Sequence, residues 1–317
     1  NALPTRLFDL PAYQLDHYPQ EDMLACKKDG TWKKYSTAQV NDIVQQLASG
    51  LLQLGISGND FTPEGQDKIA VISNNRPEWI ITDLACQQTG AVLVPLYPTI
   101  TALEIAYILN DAAVKIIFVS DEALYQKIIS IKNAVPSLRE IFTYNKIPGA
   151  RHWTEILQLS QESDKEKIQA IKNTIQPQQL ATIIYTSGTT GQPKGVMLSH
   201  ANIISNVLAC YPYLPVNTGS RALSFLPLNH VYERMITYLY IYAGVAVYYA
   251  ESMDTIANNI REAQPTIFTT VPRLLEKVFE KIMATGYSLK GIKRVLFFWS
   301  INLAKQYDIN VHQSAWY

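Results

Sequence analysis

Short runs of branched apolar residues alternate with amphipathic helical patterns in the first part of this chain. Strand-like runs at Ile69–Ser73, Val92–Leu96 and Val114–Val119 are separated by helical patterns at Pro77–Gln88 and Thr101–Asn110. Strands so rich in valine and isoleucine are typical of a parallel sheet that is buried on both faces. The alternation therefore predicts an α/β fold, with strands and helices taking turns along the chain.

The same order of segments returns about 150 residues further on. The second set comprises strand Ala222–Leu226, helix Val231–Tyr242, strand Val245–Tyr249, helix Thr255–Ala263 and strand Thr266–Thr270. We therefore predict two stacked α/β subdomains with mostly parallel sheets. We assign residues 1–210 to the first and residues 211–317 to the second, with the polar segment Gln158–Gln179 as a surface helix or linker between the two layers.

Charge and cysteine content narrow the class of protein. The 317 residues carry 27 basic and 27 acidic side chains, so no net field favours nucleic acid or an anionic membrane. Cys26, Cys86 and Cys210 are widely spaced and form no metal-binding or disulfide pattern, which fits a reducing cytoplasm. The longest uncharged run, Met235–Ala250, is too short to cross a bilayer and predicts a helix followed by a strand. Peripheral contact with the inner face of a membrane stays open.

Hydroxyls, glycines and one lysine are concentrated between two strand-like segments, Ala181–Tyr185 and Val196–Leu198. Polyphosphates need several converging hydrogen-bond donors, and glycines let backbone amides approach the anion closely. Lysine adds a full positive charge. The candidate phosphate-binding residues are Thr186, Ser187, Gly188, Thr189, Thr190, Gly191 and Lys194. The spacing differs from a Walker A loop, because Pro193 precedes the lysine and Gly195 follows it.

This loop resembles the signature phosphate loop of the adenylate-forming superfamily, which includes acyl-CoA synthetases, luciferases and the adenylation domains of peptide synthetases. The resemblance implies that a carboxylate attacks the α-phosphate of ATP, pyrophosphate leaves, and a thiol such as coenzyme A then takes the acyl group. It also implies that Lys194 handles the ATP phosphates and that Thr186 is a ligand of Mg²⁺.

His230 is the histidine with the strongest functional case. It follows a predicted strand, where open α/β sheets usually present ligand-binding residues. From position alone, a packing role and a functional role are about equally expected. The resemblance favours function, since the family has an aromatic or histidine-containing motif here that lines the acyl site. Its imidazole could orient the substrate carboxylate. We expect surface or packing roles for the others: His17, His152, His200 and His312.

The amino-acid sequence around His230 is similar to that of long-chain fatty acid:CoA ligases. The similar segments are Leu226–Arg234 and Val271–Val278. Within them we expect Glu233 and Arg234 to form a local ion pair on one helix, and Arg273 is a weak candidate for the acyl or nucleotide site. The substrates implied by the resemblance are a fatty acid, ATP and CoA.

The resemblance runs from about residue 10 onwards but covers roughly the first half of a typical family member. Later family elements, including a metal-binding glutamate, a ribose-binding aspartate and a small C-terminal domain with its lysine, have no counterpart in the sequence. We therefore expect an N-terminal fragment of the large N-terminal domain, catalytically incomplete alone. The alternatives are a fatty acyl-AMP ligase, an aryl-CoA ligase, a P-loop-like NTPase, or a non-catalytic lipid- or nucleotide-binding domain.

Overall fold

The structure is a computed structural model that describes residues 2–187, 191–308 and 310. Its strands are β1 (Leu24–Lys28), β2 (Thr31–Tyr35), β3 (Lys68–Ile72), β4 (Val92–Leu96), β5 (Val114–Val119), β6 (Glu140–Thr143), β7 (Arg151–His152), β8 (Leu180–Thr186), β9 (Lys194–Ser199), β10 (Arg221–Ser224) and β11 (Ala246–Tyr249). Its helices are α1 (Leu10–His17), α2 (Thr37–Gln53), α3 (Pro77–Gln88), α4 (Ala102–Asp111), α5 (Glu122–Ile131), α6 (Thr154–Gln158), α7 (Asp164–Thr174), α8 (His200–Cys210), α9 (Val231–Ala243), α10 (Ile256–Ala263), α11 (Pro272–Ser288) and α12 (Gly291–Ala304).

The large sheet has seven strands in the order β7-β6-β5-β3-β4-β8-β9. All neighbours pair in parallel except β8 and β9, which are antiparallel. The first alternating segment of the sequence supplies its centre, and the predicted strands and helices lie within one residue of the observed ones. The central strands β3 and β4 are buried along their whole length, as the apolar runs predict.

The small sheet has four strands in the order β10-β11-β1-β2. The predicted strands of the second segment form β10 and β11, but β1 and β2 come from the start of the chain, and β1 pairs in parallel with β11. The boundary at residue 210 therefore does not separate the two sheets. The chain instead divides into compact units at Thr269/Thr270, and both sheets lie in the first unit.

The predicted strand Thr266–Thr270 is wrong. The segment makes a single bridge, between Ile267 and Ala222 of β10, and no strand is assigned there. The backbone hydrogen bonds between this segment and β10 involve Thr266 and Ile267, at the end that follows Gln264 with its positive φ of 47°.

Helices α2, α3 and α9 share one core with side chains from both sheets. The other face of the large sheet packs against α4 and α5, and the outer face of the small sheet packs against α10. The prediction of two stacked α/β layers with mostly parallel sheets is confirmed. As the sequence indicates, Met235–Ala250 forms a helix and then a strand, and Gly244 ends α9 at a φ of 71°.

The second unit contains α11 and α12. Gly286 of α11 leaves room for the Phe297 ring, since a Cβ there would lie 1.9 Å from a ring carbon. The helix α12 carries apolar side chains on its surface, since Ile292, Val295 and Trp299 are exposed. Among the described helices, none is long and apolar enough to cross a membrane.

Candidate functional site

Thr186 and Lys194 lie opposite each other at the base of the β8–β9 hairpin. Opposite residues of an antiparallel pair project to the same face of a sheet, with Cβ atoms about 5 Å apart. Both residues are exposed, and so are Ser187 and Gly191. The hairpin thus presents a hydroxyl and an ammonium group together where its loop begins. The candidates Gly188, Thr189 and Thr190 lie outside the described residues.

Two glycines shape this hairpin. Gly191 has a φ of 91°, a region that only glycine adopts easily. A Cβ on Gly195 would lie 2.7 Å from Cγ2 of Ile183 and 3.1 Å from the Tyr185 ring. The Tyr185 hydroxyl donates a 2.6 Å hydrogen bond to Asp111 of α4, and burial together with this carboxylate raises the pKa of Tyr185, so the donor stays protonated. Gly195 therefore permits the ring contact that anchors the hairpin.

His230 is the N-cap of α9. Its Nδ1 accepts a hydrogen bond from the backbone N–H of Tyr232 at 3.2 Å, so Nδ1 carries no proton in this geometry. The proton of the neutral ring is therefore on Nε2, which makes Nε2 a donor. The side chain is exposed, so this donor is accessible to a ligand.

The segment before His230 lies at the same edge of the large sheet as the loop of the β8–β9 hairpin. Strands β3, β4 and β8 are parallel neighbours, so their carboxyl ends meet at one edge. Asn75, just after β3, donates to Leu226 O at 2.6 Å and accepts from Leu228 N–H at 2.9 Å. Two strand spacings, about 10 Å, separate β3 from β8. Sequence reasoning missed Asn75, although its position just past a strand was a signal.

Glu233 and Arg234 do not form the local ion pair expected from the sequence. Arg234 pairs with Asp83 of α3, with 2.6 Å between Nη2 and Oδ1, and both side chains are fully buried. Glu233 accepts hydrogen bonds from Ser224 at 2.8 Å and from Thr269 at 2.7 Å. Adjacent residues of a helix point about 100° apart, and here Arg234 finds its partners in α3 and β8 while Glu233 finds its partners in and beyond β10.

The surroundings of Glu233 favour its neutral form. It is 1% exposed, and burial raises its pKa to about 7, although the hydroxyls of Thr269 and Ser224 lower it. Asn229, beside His230, is 3% exposed, and its Nδ2 has no hydrogen-bond partner among the described residues. The start of α9 therefore combines a titratable carboxyl group with an unpaired amide donor.

Arg234 belongs to a buried polar network. Its Nη1 donates to Thr182 of β8 at 2.6 Å, and its Nε donates to the Tyr238 hydroxyl at 3.0 Å. The Tyr238 hydroxyl donates to Asp83, and the Thr182 hydroxyl donates to Leu93 O at 2.7 Å. One guanidinium group thus connects α9, α3 and β8, the first strand of the β8–β9 hairpin.

A cleft with a volume of about 750 Å³ is lined by residues that follow β3, β5 and β6 and by residues of β1, β2 and β11. Lys28, Lys33 and Lys146 line it and form no ion pair within the described part of the chain. Arg76 of the lining pairs with Glu78 at 2.9 Å. The hydroxyl of Tyr249, a residue 1% exposed, also has no partner within those residues. The unpaired lysines suit an anionic ligand.

The site fits a metal ion that arrives with phosphate. Mg²⁺ usually takes one or two protein oxygens and keeps its other positions for water and phosphate oxygens. The exposed Thr186 hydroxyl supplies one such oxygen beside Lys194. In the described ranges, no group of three or more His, Cys, Asp or Glu side chains could hold a metal ion by itself.

The remaining candidate residues differ in burial and in bonding partners. Arg273 is exposed in the first turn of α11. His200 is buried, its Nδ1 accepts from the Leu7 N–H at 3.2 Å, and burial lowers its pKa to about 3. His152 bonds Thr154 and a backbone carbonyl, and His17 stacks on a tyrosine. His312 lies outside the described residues.

Comparison with known proteins decides the family. Residues 12–308 match the model described as AMP-binding enzyme. The chain belongs to the AMP-binding enzyme family. A long-chain-fatty-acid–CoA ligase of Xenopus laevis is 31% identical over 310 residues, which cover 94% of this chain and 41% of that protein. A ligase of the same class from Cavia porcellus is 33% identical over 273 residues, covering 81% of this chain and 38% of that protein.

Solved structures of AMP-binding enzymes share the fold. A long-chain-fatty-acid–CoA ligase from Archaeoglobus fulgidus superposes with a TM-score of 0.74 at 19% identity, covering 89% of this chain and 55% of that structure. An anthranilate–CoA ligase in complex with anthranoyl-AMP gives a TM-score of 0.70 at 18% identity, with 86% and 50% covered. The chain spans about two fifths of the length of the curated relatives it matches.

Proposed function

We propose that this AMP-binding enzyme chain forms the ATP-handling part of a long-chain fatty acid:CoA ligase that proceeds through an acyl-adenylate and pyrophosphate. The observation that carries the proposal is the hairpin base, where Thr186 and Lys194 share one face next to a glycine-rich loop. The names of the relatives support the acyl substrate and the thiol acceptor.

Each candidate residue is assigned a role in the reaction from its position. Lys194 and the backbone amides of the hairpin loop bind the phosphates and stabilise the charge that grows on departing pyrophosphate. Thr186 would hold Mg²⁺, which partly neutralises the phosphates when bound. The Nε2–H of His230 donates to a carboxylate oxygen and orients the acid toward the α-phosphate. We assign the cleft with Lys28, Lys33 and Lys146 to the phosphates of the CoA substrate.

Carboxylate-dependent exchange of pyrophosphate into ATP tests this function. This chain and the full-length reading frame are assayed side by side with palmitate, acetate and benzoate. We expect exchange with palmitate from the full-length protein and little from this chain alone. Exchange only with benzoate favours an aryl-CoA ligase, whereas an acyl-adenylate that CoA does not consume favours a fatty acyl-AMP ligase. A folded full-length protein without any exchange refutes the proposal in favour of a binding domain.

A further inference from the structure

A buried ion pair connects the two parts of the candidate site. His230 and Arg234 are one helical turn apart on α9, and the Arg234 N–H donates to His230 O at 3.3 Å. The Arg234 guanidinium bonds Thr182, which lies four residues before Thr186 on β8. The same side chain therefore supports the turn that carries His230 and the first strand of the β8–β9 hairpin.

Stability alone does not account for such a pair. Two charges that are fully removed from water lose their hydration, and apolar residues of similar volume often replace them with no loss of stability. What the pair adds is a fixed orientation of α9 relative to its neighbours. Arg234 donates to Asp83, Thr182 and Tyr238 through bonds whose geometry the planar guanidinium fixes. Apolar contacts would fill the same space and leave the helix free to slide or turn.

The neighbouring residue holds α9 from the other side. Glu233 bonds Ser224, the last residue of β10, and Thr269 beyond the small sheet. Asn75 also donates to the Ser224 hydroxyl at 3.2 Å, which joins this contact to the end of β3. The start of α9 is thus fixed to both sheets through two adjacent side chains.

We propose that Arg234 is a positioning residue, whose bonds to Asp83 and Thr182 hold His230 at a fixed offset from the β8–β9 hairpin loop. This inference rests on the function proposed above. Arg234 touches no substrate. It acts through the orientation of the first turn of α9, so its effect on the reaction depends on the presence of His230.

The test compares full-length variants in the adenylation half-reaction. Arg234→Met combined with Asp83→Leu replaces the pair by apolar side chains, so neither partner is left buried and unpaired. A displacement of about 1 Å at a reacting group can slow a reaction on the order of 100-fold. We expect kcat to fall by roughly 10- to 100-fold, with the protein folded and the KM for ATP within about twofold, because the hairpin is intact. The melting temperature falls, since the buried Tyr238 hydroxyl and Gln87 amide lose Asp83 as their acceptor.

A cycle with His230→Ala separates positioning from general damage. If Arg234 acts through His230, the triple variant loses no more kcat than His230→Ala alone, whereas independent effects multiply. Multiplying losses, a wild-type kcat in the pair variant, or an unaffected His230→Ala enzyme would each overturn the proposal. Absence of exchange in the wild-type enzyme instead refutes the proposed function, and this role with it.

Thr182→Val provides a second route if the pair variant does not fold. It keeps the ion pair and removes the bond from Arg234 to β8, together with the bond from the Thr182 hydroxyl to Leu93 O, with little change in volume. We expect a lower kcat that does not multiply with His230→Ala. A kcat equal to that of the wild type would overturn the proposed link to the hairpin.

Discussion

Replacing Glu233 with glutamine removes a buried ionisable group and keeps its shape. Burial raises the pKa of Glu233 from 4.5 to about 7, against the opposing hydrogen bonds of Thr269 and Ser224. The folded state therefore holds this proton more tightly than the unfolded chain, so the stabilisation is complete below pH 4.5 and is lost as the pH rises through 7. The pKa values of Glu233 in the unfolded and folded states differ by roughly 2.5 units (7 − 4.5). At about 1.4 kcal/mol per unit, the free energy of unfolding lost on ionisation is about 3 kcal/mol.

Urea denaturation at several pH values between 5 and 8 measures the effect. The free energy of unfolding of the Glu233→Gln variant is compared with that of the wild type at each pH, so that other titrating groups cancel. We expect the variant to gain about 2 to 3 kcal/mol relative to the wild type across this range. Parallel curves for the two proteins would refute the reasoning, because they would mean that Glu233 titrates in its ordinary range.

Glu78→Gln is the matched control. Burial opposes ionisation of Glu78, but the hydrogen bond and charge of Arg76 prevail and lower its pKa. Its contribution is therefore present above its ordinary pKa and is lost as the pH falls. The Glu78→Gln variant should have a lower free energy of unfolding because the ion pair with Arg76 is lost. The decrease in its free energy of unfolding from pH 5 to pH 8 should nevertheless equal that of the wild type.

Three further predictions concern ligand contacts and the hairpin. Lys194→Ala, at an exposed position, should change the free energy of unfolding by less than about 0.5 kcal/mol but slow pyrophosphate exchange on the order of 100-fold; unchanged exchange would exclude its role. Gly195→Ala should destabilise the protein by about 1 to 3 kcal/mol in urea, because the added Cβ meets Ile183; a neutral result would mean that the hairpin adapts. In the full-length enzyme, Lys28→Glu with Lys146→Glu should raise the KM for CoA and leave the KM for ATP within about twofold. Equal increases in both KM values would refute the assignment of this cleft to CoA.

The sequence predicts local structure well where the spacing of apolar residues and the length of the segment indicate the same kind of element. The three strands and two helices between residues 69 and 119 follow from the sequence, because buried parallel strands are short and apolar and the helices between them are amphipathic. The two strand-like segments that flank the glycine-rich loop lie within β8 and β9, as the sequence indicates, and phosphate binding by this loop stays a prediction.

The missed features depend on contacts between distant parts of the chain. Nothing local in Leu24–Lys28 indicates that it pairs with Ala246–Tyr249. Glu233 and Arg234 were expected to pair with each other because they are adjacent, but their partners are set by the two layers on either side of α9. Within Gln158–Gln179, the predicted surface helix forms, yet Asp164 is buried and bonds Ser49 at 2.6 Å.

The pairing of β1 with β11 sets an order of events during synthesis. The β1–β2 hairpin is synthesised about 210 residues before its parallel neighbour β11. At about 5 to 20 residues per second, this delay is roughly 10 to 40 seconds. During that time one edge of β1 has no partner, which invites pairing with other nascent chains. The four lysines of the hairpin, Lys27, Lys28, Lys33 and Lys34, oppose such pairing by repulsion and keep the edge available for its own chain.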